Sequence, residues 1–213
     1  MMSDEIGSKK ILNRQRKTKN PCLGCGLHHI YCICNLIPRL NLRTKICLVI
    51  HKKELKRTTN TGQLAVKSLT NSELRIRGEL NQKPLDLSDL LIPEYRTLLF
   101  FPAEDAVELT TEFVQSSSLP IQLIIPDGNW RQASKVHSRH PELSLVQKVK
   151  ISSVNKSEYH LRAEHMPEGM ATLEAIAYAL GIIEGPQIKN ILLNLYQAKL
   201  KNTLTSRGIK TEF

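Results

Sequence analysis

The stretch Lys45–Ile50, with the sequence KICLVI, begins the regular part of this 213-residue chain. Its run of apolar and β-branched residues predicts a buried β-strand. From Thr44 onward, short runs of this kind alternate with longer amphipathic stretches. Such alternation is typical of βαβ units, so the sequence predicts an α/β fold with a mostly parallel sheet.

The same patterns give the other elements of the predicted fold. The apolar runs predict four more strands, at 74–77, 97–101, 121–125 and 149–152. Helices are predicted at 62–69, 104–115, 131–136, 173–183 and 186–204. The 173–183 helix has apolar residues at i, i+3, i+4 and i+7, with Thr172 as its predicted cap.

Polar residues cluster where three predicted strands end. The first strand leads into His51 and then residues 58–62 (TTNTG), the third into 101–105 (FPAED), and the fourth into 126–131 (PDGNWR). Ligands bind beyond the carboxyl ends of the strands in open parallel sheets. We therefore expect all three clusters at one edge of the sheet, around a ligand site.

The chain divides into three parts by composition. Residues 1–20 are polar and basic and predict a flexible arm, residues 21–38 form a cysteine-rich module, and residues 39–213 form the α/β domain. Lys and Arg number 30 against 20 Asp and Glu, which gives a net charge of +10. A surplus of this size favours a nucleic-acid partner, although a basic enzyme without such a partner would have the same charge.

Four cysteines follow the spacing Cys22-x2-Cys25-x6-Cys32-x-Cys34. Two close pairs of thiolates can surround one zinc ion tetrahedrally, and four protein ligands are typical of a structural site. His28 and His29 lie between the pairs, and one of them could replace a cysteine as ligand, although a histidine in a loop is more often solvated. The pattern predicts a structural zinc.

The remaining features indicate a reducing compartment. Cys47 lies inside the first predicted strand, where it is expected to be a small buried side chain. No apolar segment follows the basic arm as in a signal peptide, and no stretch approaches the roughly 20 apolar residues that cross a bilayer. We therefore expect the protein in the cytoplasm.

Each polar cluster allows a structural and a functional interpretation. Asn60-Thr61-Gly62 can cap a helix or bind an anion. Asp127 can cap the helix that follows it or act as a general base. Trp130 can pack in the core, which its spacing alone favours, or stack on a nucleobase.

Two further groups come from the C-terminal part of the chain. Glu174 can complement the positive end of its helix or bind a ligand amine or hydroxyl. Arg162, in the sequence Tyr159-His160-Leu161-Arg162, can hold a carboxylate bidentately or cover the surface.

Together these segments resemble the DTW-domain family, the tRNA-uridine aminocarboxypropyltransferases. The resemblance covers residues 21 to about 184. It rests on the order of the cysteine cluster, Asn60-Thr61-Gly62, FP-x-x-DA at 101–106, DGNW-x-x-A at 127–133, Y-x-LR at 159–162 and TLEA at 172–175. The family usually has Thr between its Asp and Trp, where this chain has Asn129.

The resemblance implies a fold, a donor and a reaction. The fold is related to the SPOUT superfamily, with a C-terminal trefoil knot, and residues 39–213 would be the domain that binds S-adenosylmethionine. The reaction would place the donor's 3-amino-3-carboxypropyl group on N3 of a tRNA uridine and release methylthioadenosine. Zinc would be structural and tRNA the partner.

The resemblance also implies roles for individual residues. Asp127 would be the general base, or else would orient the base or bind the donor, and Trp130 is the second catalytic candidate. The adenosine would be wrapped by backbone from Phe101, Pro102, Asp105, Asp127, Gly128, Thr172 and Leu173. The donor carboxylate would meet Arg162 or the turn of Asn60, Thr61 and Gly62, and its amine would meet Glu174 or Asp105.

Two other functions fit parts of this pattern. A methyltransferase of similar fold, acting on tRNA or rRNA, would use the same donor and would release S-adenosylhomocysteine. A non-catalytic zinc-ribbon RNA-binding protein would use the cysteine module and the basic charge. In that protein the strand-end clusters would be only caps and turns.

Overall fold

The computed structural model describes residues 18, 20–79, 83–152 and 170–209. Within them, six strands form one parallel sheet with the order β2-β1-β5-β3-β6-β4. The strands are β1 (Lys45–His51), β2 (Ser72–Arg77), β3 (Arg96–Phe100), β4 (Val107–Glu108), β5 (Ile121–Asp127) and β6 (Gln147–Lys150).

Six α-helices lie between and after these strands in the described part of the chain. They are α1 (Lys52–Leu55), α2 (Gly62–Ser68), α3 (Thr111–Gln115), α4 (Trp130–Arg139), α5 (Thr172–Ile183) and α6 (Pro186–Ser206). Short 3₁₀ turns occur at His29–Tyr31, Cys34–Leu36, Ser88–Leu90 and Pro141–Leu143. No helix among the described residues combines the length and apolar character that a membrane span requires.

The predicted elements are largely confirmed, with one clear error. All five predicted strands are present, and four of the five predicted helices begin within a residue of their expected start. The helix predicted at 104–115 is wrong in its first half. Val107–Glu108 instead pairs with β6 as an edge strand, and only Thr111–Gln115 is helical. Thr110 starts that helix, because its Oγ1 accepts from the backbone N–H of Phe113 at 3.2 Å.

The strand order brings the three polar clusters together, as the sequence predicts. β5 lies between β1 and β3, and all of their contacts are parallel. The carboxyl ends of these three central strands therefore share one edge of the sheet. Asp127 ends β5, His51 ends β1, and Phe101 directly follows β3.

Helices cover both faces of the sheet. On one face, apolar residues of β1, β3 and β5 pack against α2, α5 and α6 around Leu48, Leu123 and Ile176. On the other face, Val49 and Ile124 pack against α4. Cys47 lies on that second face, fully buried as expected, and burial raises the pKa of its thiol to about 12. Its role is packing.

Candidate functional site

The carboxylate of Asp127 is the centre of the polar edge. Asp127 is 4% exposed. Its Oδ2 accepts a hydrogen bond from the side-chain amide of Asn60 at 2.6 Å, and its Oδ1 accepts one from the hydroxyl of Thr172 at 2.5 Å. One carboxylate therefore joins three segments that are far apart in sequence: the end of β5, the turn before α2 and the first residue of α5.

The turn Asn60-Thr61-Gly62 is buried against this carboxylate. The Asn60 side chain also accepts from the backbone N–H of Gln63 at 3.1 Å, so it closes the start of α2. A Cβ on Gly62 would lie 3.1 Å from Oδ2 of Asp127 and 3.0 Å from Leu48. A side chain larger than a hydrogen atom at position 62 would thus press on the carboxylate.

The start of α5 completes the cluster. The hydroxyl of Thr61 accepts from the backbone N–H of Leu173 at 3.2 Å, in addition to the bond between Thr172 and Asp127. The prediction that Thr172 caps this helix is wrong, because the N-cap is Ala171 and Thr172 is the first helical residue. The hydroxyl of Thr172 is directed to Asp127 instead.

The turn after Asp127 positions α4. Asn129 is the N-cap of this helix and forms a capping box with Gln132, with both hydrogen bonds at 2.9 Å. The prediction that Asp127 caps this helix is therefore wrong. Asn and Thr are both good N-caps, which explains physically how the turn accommodates Asn129. Gly128 is required for close approach, since a Cβ there would lie 2.8 Å from Cβ of Gln132.

Trp130 lies on the surface, so the prediction of core packing is wrong. Its side chain is 49% exposed, and its ring lies against Phe101 with centroids 5.3 Å apart and planes at 33°. Phe101 is buried and also contacts the ring of His137 edge-on. The indole of Trp130 is thus half-exposed and packs on the buried ring of Phe101, next to the end of β5.

The other predicted site residues are dispersed around this centre. Leu173 and Glu174 are buried in the first turn of α5, and Pro102 is exposed after β3. Asp105 is on the surface and forms an ion pair with Lys148 at 2.5 Å, which holds the pKa of its carboxyl below the usual value. Tyr159 and Arg162 lie outside the described residues.

The four cysteines of the N-terminal module converge on one point. All four Sγ atoms lie within 4.8 Å of one another. Sulfur atoms are 3.5 Å apart for Cys22–Cys34, 3.6 Å for Cys22–Cys32 and 3.8 Å for Cys25–Cys32. Zinc–sulfur bonds of about 2.3 Å require sulfur atoms roughly 3.8 Å apart in a tetrahedron. The cluster therefore fits a structural zinc ion.

The surroundings of the thiols also suit a metal. Hydrogen bonds from the backbone N–H groups of Cys25 and Gly24 lower the pKa of Cys22 to about 6. Burial, with the neighbouring thiols, raises the pKa of Cys34 to about 12. Binding of a metal must therefore displace a proton from Cys34, so affinity should rise with pH. A Cβ on Gly24 would lie only 2.3 Å from Sγ of Cys34.

Two lysines of the α/β domain hold the module in place. Lys67 of α2 donates to the carbonyls of Leu23 and Gly24. Lys199 of α6 is only 1% exposed and donates to the carbonyl of Cys25 at 2.5 Å. Burial lowers the pKa of Lys199 to about 8, while the nearby thiols oppose that shift. Four thiolates on a zinc ion have two net negative charges, so an ammonium group here compensates charge.

Sequence reasoning did not find Lys67 or Lys199. Both lie in regular helices, where a lysine is ordinarily a solvated charge. One signal was available for Lys199: it lies at i+4 from the buried Leu195 and next to the buried Leu200, on the apolar face of α6. A charged residue on such a face requires a partner.

A family model described as "DTW domain" matches residues 19–204 of this chain. The match includes the cysteine module, the Asp127 cluster and most of α6. No solved structure matches the chain.

Curated proteins similar to this chain come from animals and a plant. A Drosophila melanogaster protein named "tRNA-uridine aminocarboxypropyltransferase 2" is 26% identical over 90% of this chain and 78% of its own length. A Macaca fascicularis protein of the same name is 25% identical over 85% of this chain and 63% of its own length. The chain thus spans less than two thirds of that protein. The Arabidopsis thaliana "tRNA-uridine aminocarboxypropyltransferase A" is 25% identical over 84% of this chain and 79% of its own length.

The cysteine cluster gives a first prediction. Cys25→Ser should reduce the zinc content of the purified protein from one ion per chain to well below one, and should lower its melting temperature, because metal binding and folding are coupled. Elemental analysis and thermal unfolding measure the two effects. Cys47→Ala is the matched control and should retain zinc. Equal melting of the native protein with and without a strong chelator would contradict a structural zinc.

The Asp127 cluster gives a second prediction. Thr172→Val removes the hydroxyl that donates to a buried carboxylate, and should lower the free energy of unfolding by about 1–3 kcal/mol. Thr205→Val, at an exposed position of α6, should change it by less than about 0.5 kcal/mol. Urea unfolding of both variants tests this difference. Equal stabilities would argue against a bond of structural importance at Thr172.

Proposed function

This chain belongs to the DTW-domain family, and from that premise we propose that it is a transferase that modifies a uridine of tRNA. The names of the similar curated proteins support both the reaction class and the substrate. Charge adds support, since a net charge of +10 suits a polyanionic substrate.

In its finer form, the proposal has S-adenosylmethionine as donor and N3 of uridine as acceptor. N3 loses its proton and forms a bond to the γ-carbon of the methionine part. The bond between that carbon and the sulfonium sulfur breaks, and its electron pair stays on sulfur. The products are the 3-amino-3-carboxypropyl uridine, methylthioadenosine and one proton.

The Asp127 cluster is the observation that carries this proposal. Three motifs of the family resemblance, Asn60-Thr61-Gly62, Asp127-Gly128-Asn129-Trp130 and Thr172-Leu173-Glu174-Ala175, meet at one buried carboxylate. A purely structural role would need only local caps, such as the one that Asn129 supplies. Contacts between motifs at the ligand-binding edge of a parallel sheet are typical of a preorganised site.

We propose that the donor binds around this cluster. Backbone from 101–105 and 127–130, together with Thr172 and Leu173, would enclose the adenosine. Glu174, which is buried in the same helical turn as Leu173, or Asp105, which lies on the surface, would meet the donor amine. Arg162 or the Asn60-Thr61-Gly62 turn would hold the donor carboxylate.

Asp127 and Trp130 are the proposed catalytic residues. The bonds from Asn60 and Thr172 hold the carboxylate of Asp127 in place, and we propose that this carboxylate accepts the N3 proton. Trp130 presents a half-exposed indole at the start of α4, three residues after Asp127. An indole face of this kind stacks on a nucleobase, and we propose that it holds the uridine.

The remaining parts of the proposal concern the fold and the surroundings. The basic arm of residues 1–20 and the zinc module would contact tRNA phosphates. The fold would be related to the SPOUT superfamily, with a C-terminal trefoil knot. Five free cysteines among the described residues are consistent with the proposed location in the cytoplasm.

Identification of the small-molecule product tests the proposed function. Purified protein, S-adenosylmethionine and unmodified tRNA are incubated and the products identified by mass spectrometry. We expect methylthioadenosine and a matching mass gain on a uridine. S-adenosylhomocysteine would mean a methyltransferase. If neither forms while tRNA binds, a non-catalytic RNA-binding protein is favoured.

The role of Asp127 gives a further prediction. Asp127→Asn should reduce turnover by at least about 100-fold, the range associated with loss of a general base, while donor affinity falls much less. Single-turnover kinetics and equilibrium donor binding separate the two effects. Glu108→Gln, at the end of β4 on the same sheet edge, is the matched control and should retain turnover. Undiminished turnover in the Asp127 variant would exclude it as the base.

A further inference from the structure

A group of basic side chains lies beside the Asp127 cluster, on the face of the sheet that α4 covers. We call it the basic surface and define it as His51, Lys53, Arg77, Lys135 and Arg139. His51 ends β1 and Arg77 ends β2, and the two are partners in the parallel register. Partners in register point to the same face, and His51 has the same parity as Cys47 and Val49, which pack on the α4 side.

Arg77 is the most unusual member of this group. It is 8% exposed, and its guanidinium donates to the backbone carbonyl of Gln132 in α4 at 2.7 Å. Among the described residues, no carboxylate forms an ion pair with it. A buried guanidinium is normally paired with an acid. The guanidinium instead donates to a backbone oxygen, so within the described residues its charge has no carboxylate partner.

The other members bring more positive charge to the same place. Lys135 and Arg139 are four residues apart and share one face of α4. Lys53 lies in α1, the helix that begins directly after His51. Burial first, and then the charges of Arg77, Lys53 and Lys135, lower the pKa of His51. Burial first, and then the charge of Arg139, lower the pKa of Arg77. Two acids in the segments that follow β1 and β2 form ion pairs with other residues, Glu54 with Arg57 and Glu79 with Lys52.

α4 separates this surface from the exposed tryptophan. Trp130 lies against Phe101 on the β3 side of the helix, whereas the carbonyl of Gln132 meets Arg77 on the β2 side. A strand of nucleic acid across the first turns of α4 would therefore contact an indole on one flank and cations on the other. Aromatic stacking combined with a basic groove is the common design for single-stranded nucleic acid.

We propose that the basic surface binds backbone phosphates of the tRNA next to the target uridine, an inference that rests on the proposed function. Like charges held together in a folded protein repel one another, and bound anions relieve that repulsion. Arginine and lysine on three separate elements suit consecutive phosphates better than the single carboxylate of the donor. The planar fork of Arg139 can bind a phosphate bidentately.

The test compares two double variants that remove the same charge. Lys135→Gln with Arg139→Gln alters the basic surface, and Lys83→Gln with Lys189→Gln removes two at least partly exposed lysines that belong neither to that surface nor to the zinc module. Affinity for unmodified transcribed tRNA is measured by fluorescence anisotropy over a series of salt concentrations. Each lost phosphate contact should reduce the slope of log K against log salt by about 0.7–0.9. We expect a reduction of about 1.4–1.8 for the first pair and none for the second.

The outcomes distinguish this inference from the proposed function. Three results would overturn the inference: a native salt slope in the Lys135/Arg139 variant, an equal loss of slope in the control pair, or absence of tRNA binding by the native protein. Binding of S-adenosylmethionine should be unchanged in both variants, and a loss confined to donor binding would also overturn it. If the slope changes as expected while the native protein forms no product, the phosphate surface stands and the transferase proposal fails.

Discussion

The buried carboxylate of Asp127 is the constraint on which the polar edge of this molecule depends. Its two oxygens accept hydrogen bonds from Asn60 and Thr172, which lie on opposite sides of it in the sequence. A buried carboxylate without such donors would be strongly destabilising. The fold therefore requires the turn before α2 and the start of α5 to meet at the end of β5. The same requirement makes the site rigid before any ligand arrives.

Helix α4 separates two surfaces at this edge of the sheet, the exposed Trp130 on one side and the basic surface around Arg77 on the other. The capping box of Asn129 and Gln132 fixes the first turn, which exposes Trp130 above Phe101 and directs a carbonyl to Arg77. The zinc module is attached elsewhere, through Lys67 on α2 and the buried Lys199 on α6. The cysteine cluster is thus attached to the α/β domain through two helices, which is consistent with a structural role.

The sequence predicted the sheet well because buried parallel strands have continuous apolar runs, as in Lys45–His51 and Ile121–Asp127. It failed at 104–115, where the edge strand β4 is only two residues long and has too few residues to show a period. The convergence of the polar clusters could be predicted, because it follows from the parallel topology. The hydrogen-bond partners of Asp127 could not be predicted, because a local role as a helix cap explained Thr172 and Asp127 equally well. Trp130 was misplaced because an isolated tryptophan is usually buried, and only the neighbouring Phe101 shows why it is half-exposed.

The most direct test of the central role of Asp127 is amide hydrogen exchange in the native protein and in Asp127→Ala. The amide of Gln63 bonds to the side chain of Asn60, which donates to the carboxylate, and the amide of Leu173 follows Thr172, the second donor to the carboxylate. An alanine has no side-chain acceptor, so the amide of Asn60 and the hydroxyl of Thr172 would both lose the partner that they have in the native protein. We predict that both amides exchange faster in the variant, while amides in β1 keep their native rates. Native rates at both Gln63 and Leu173 would contradict the account.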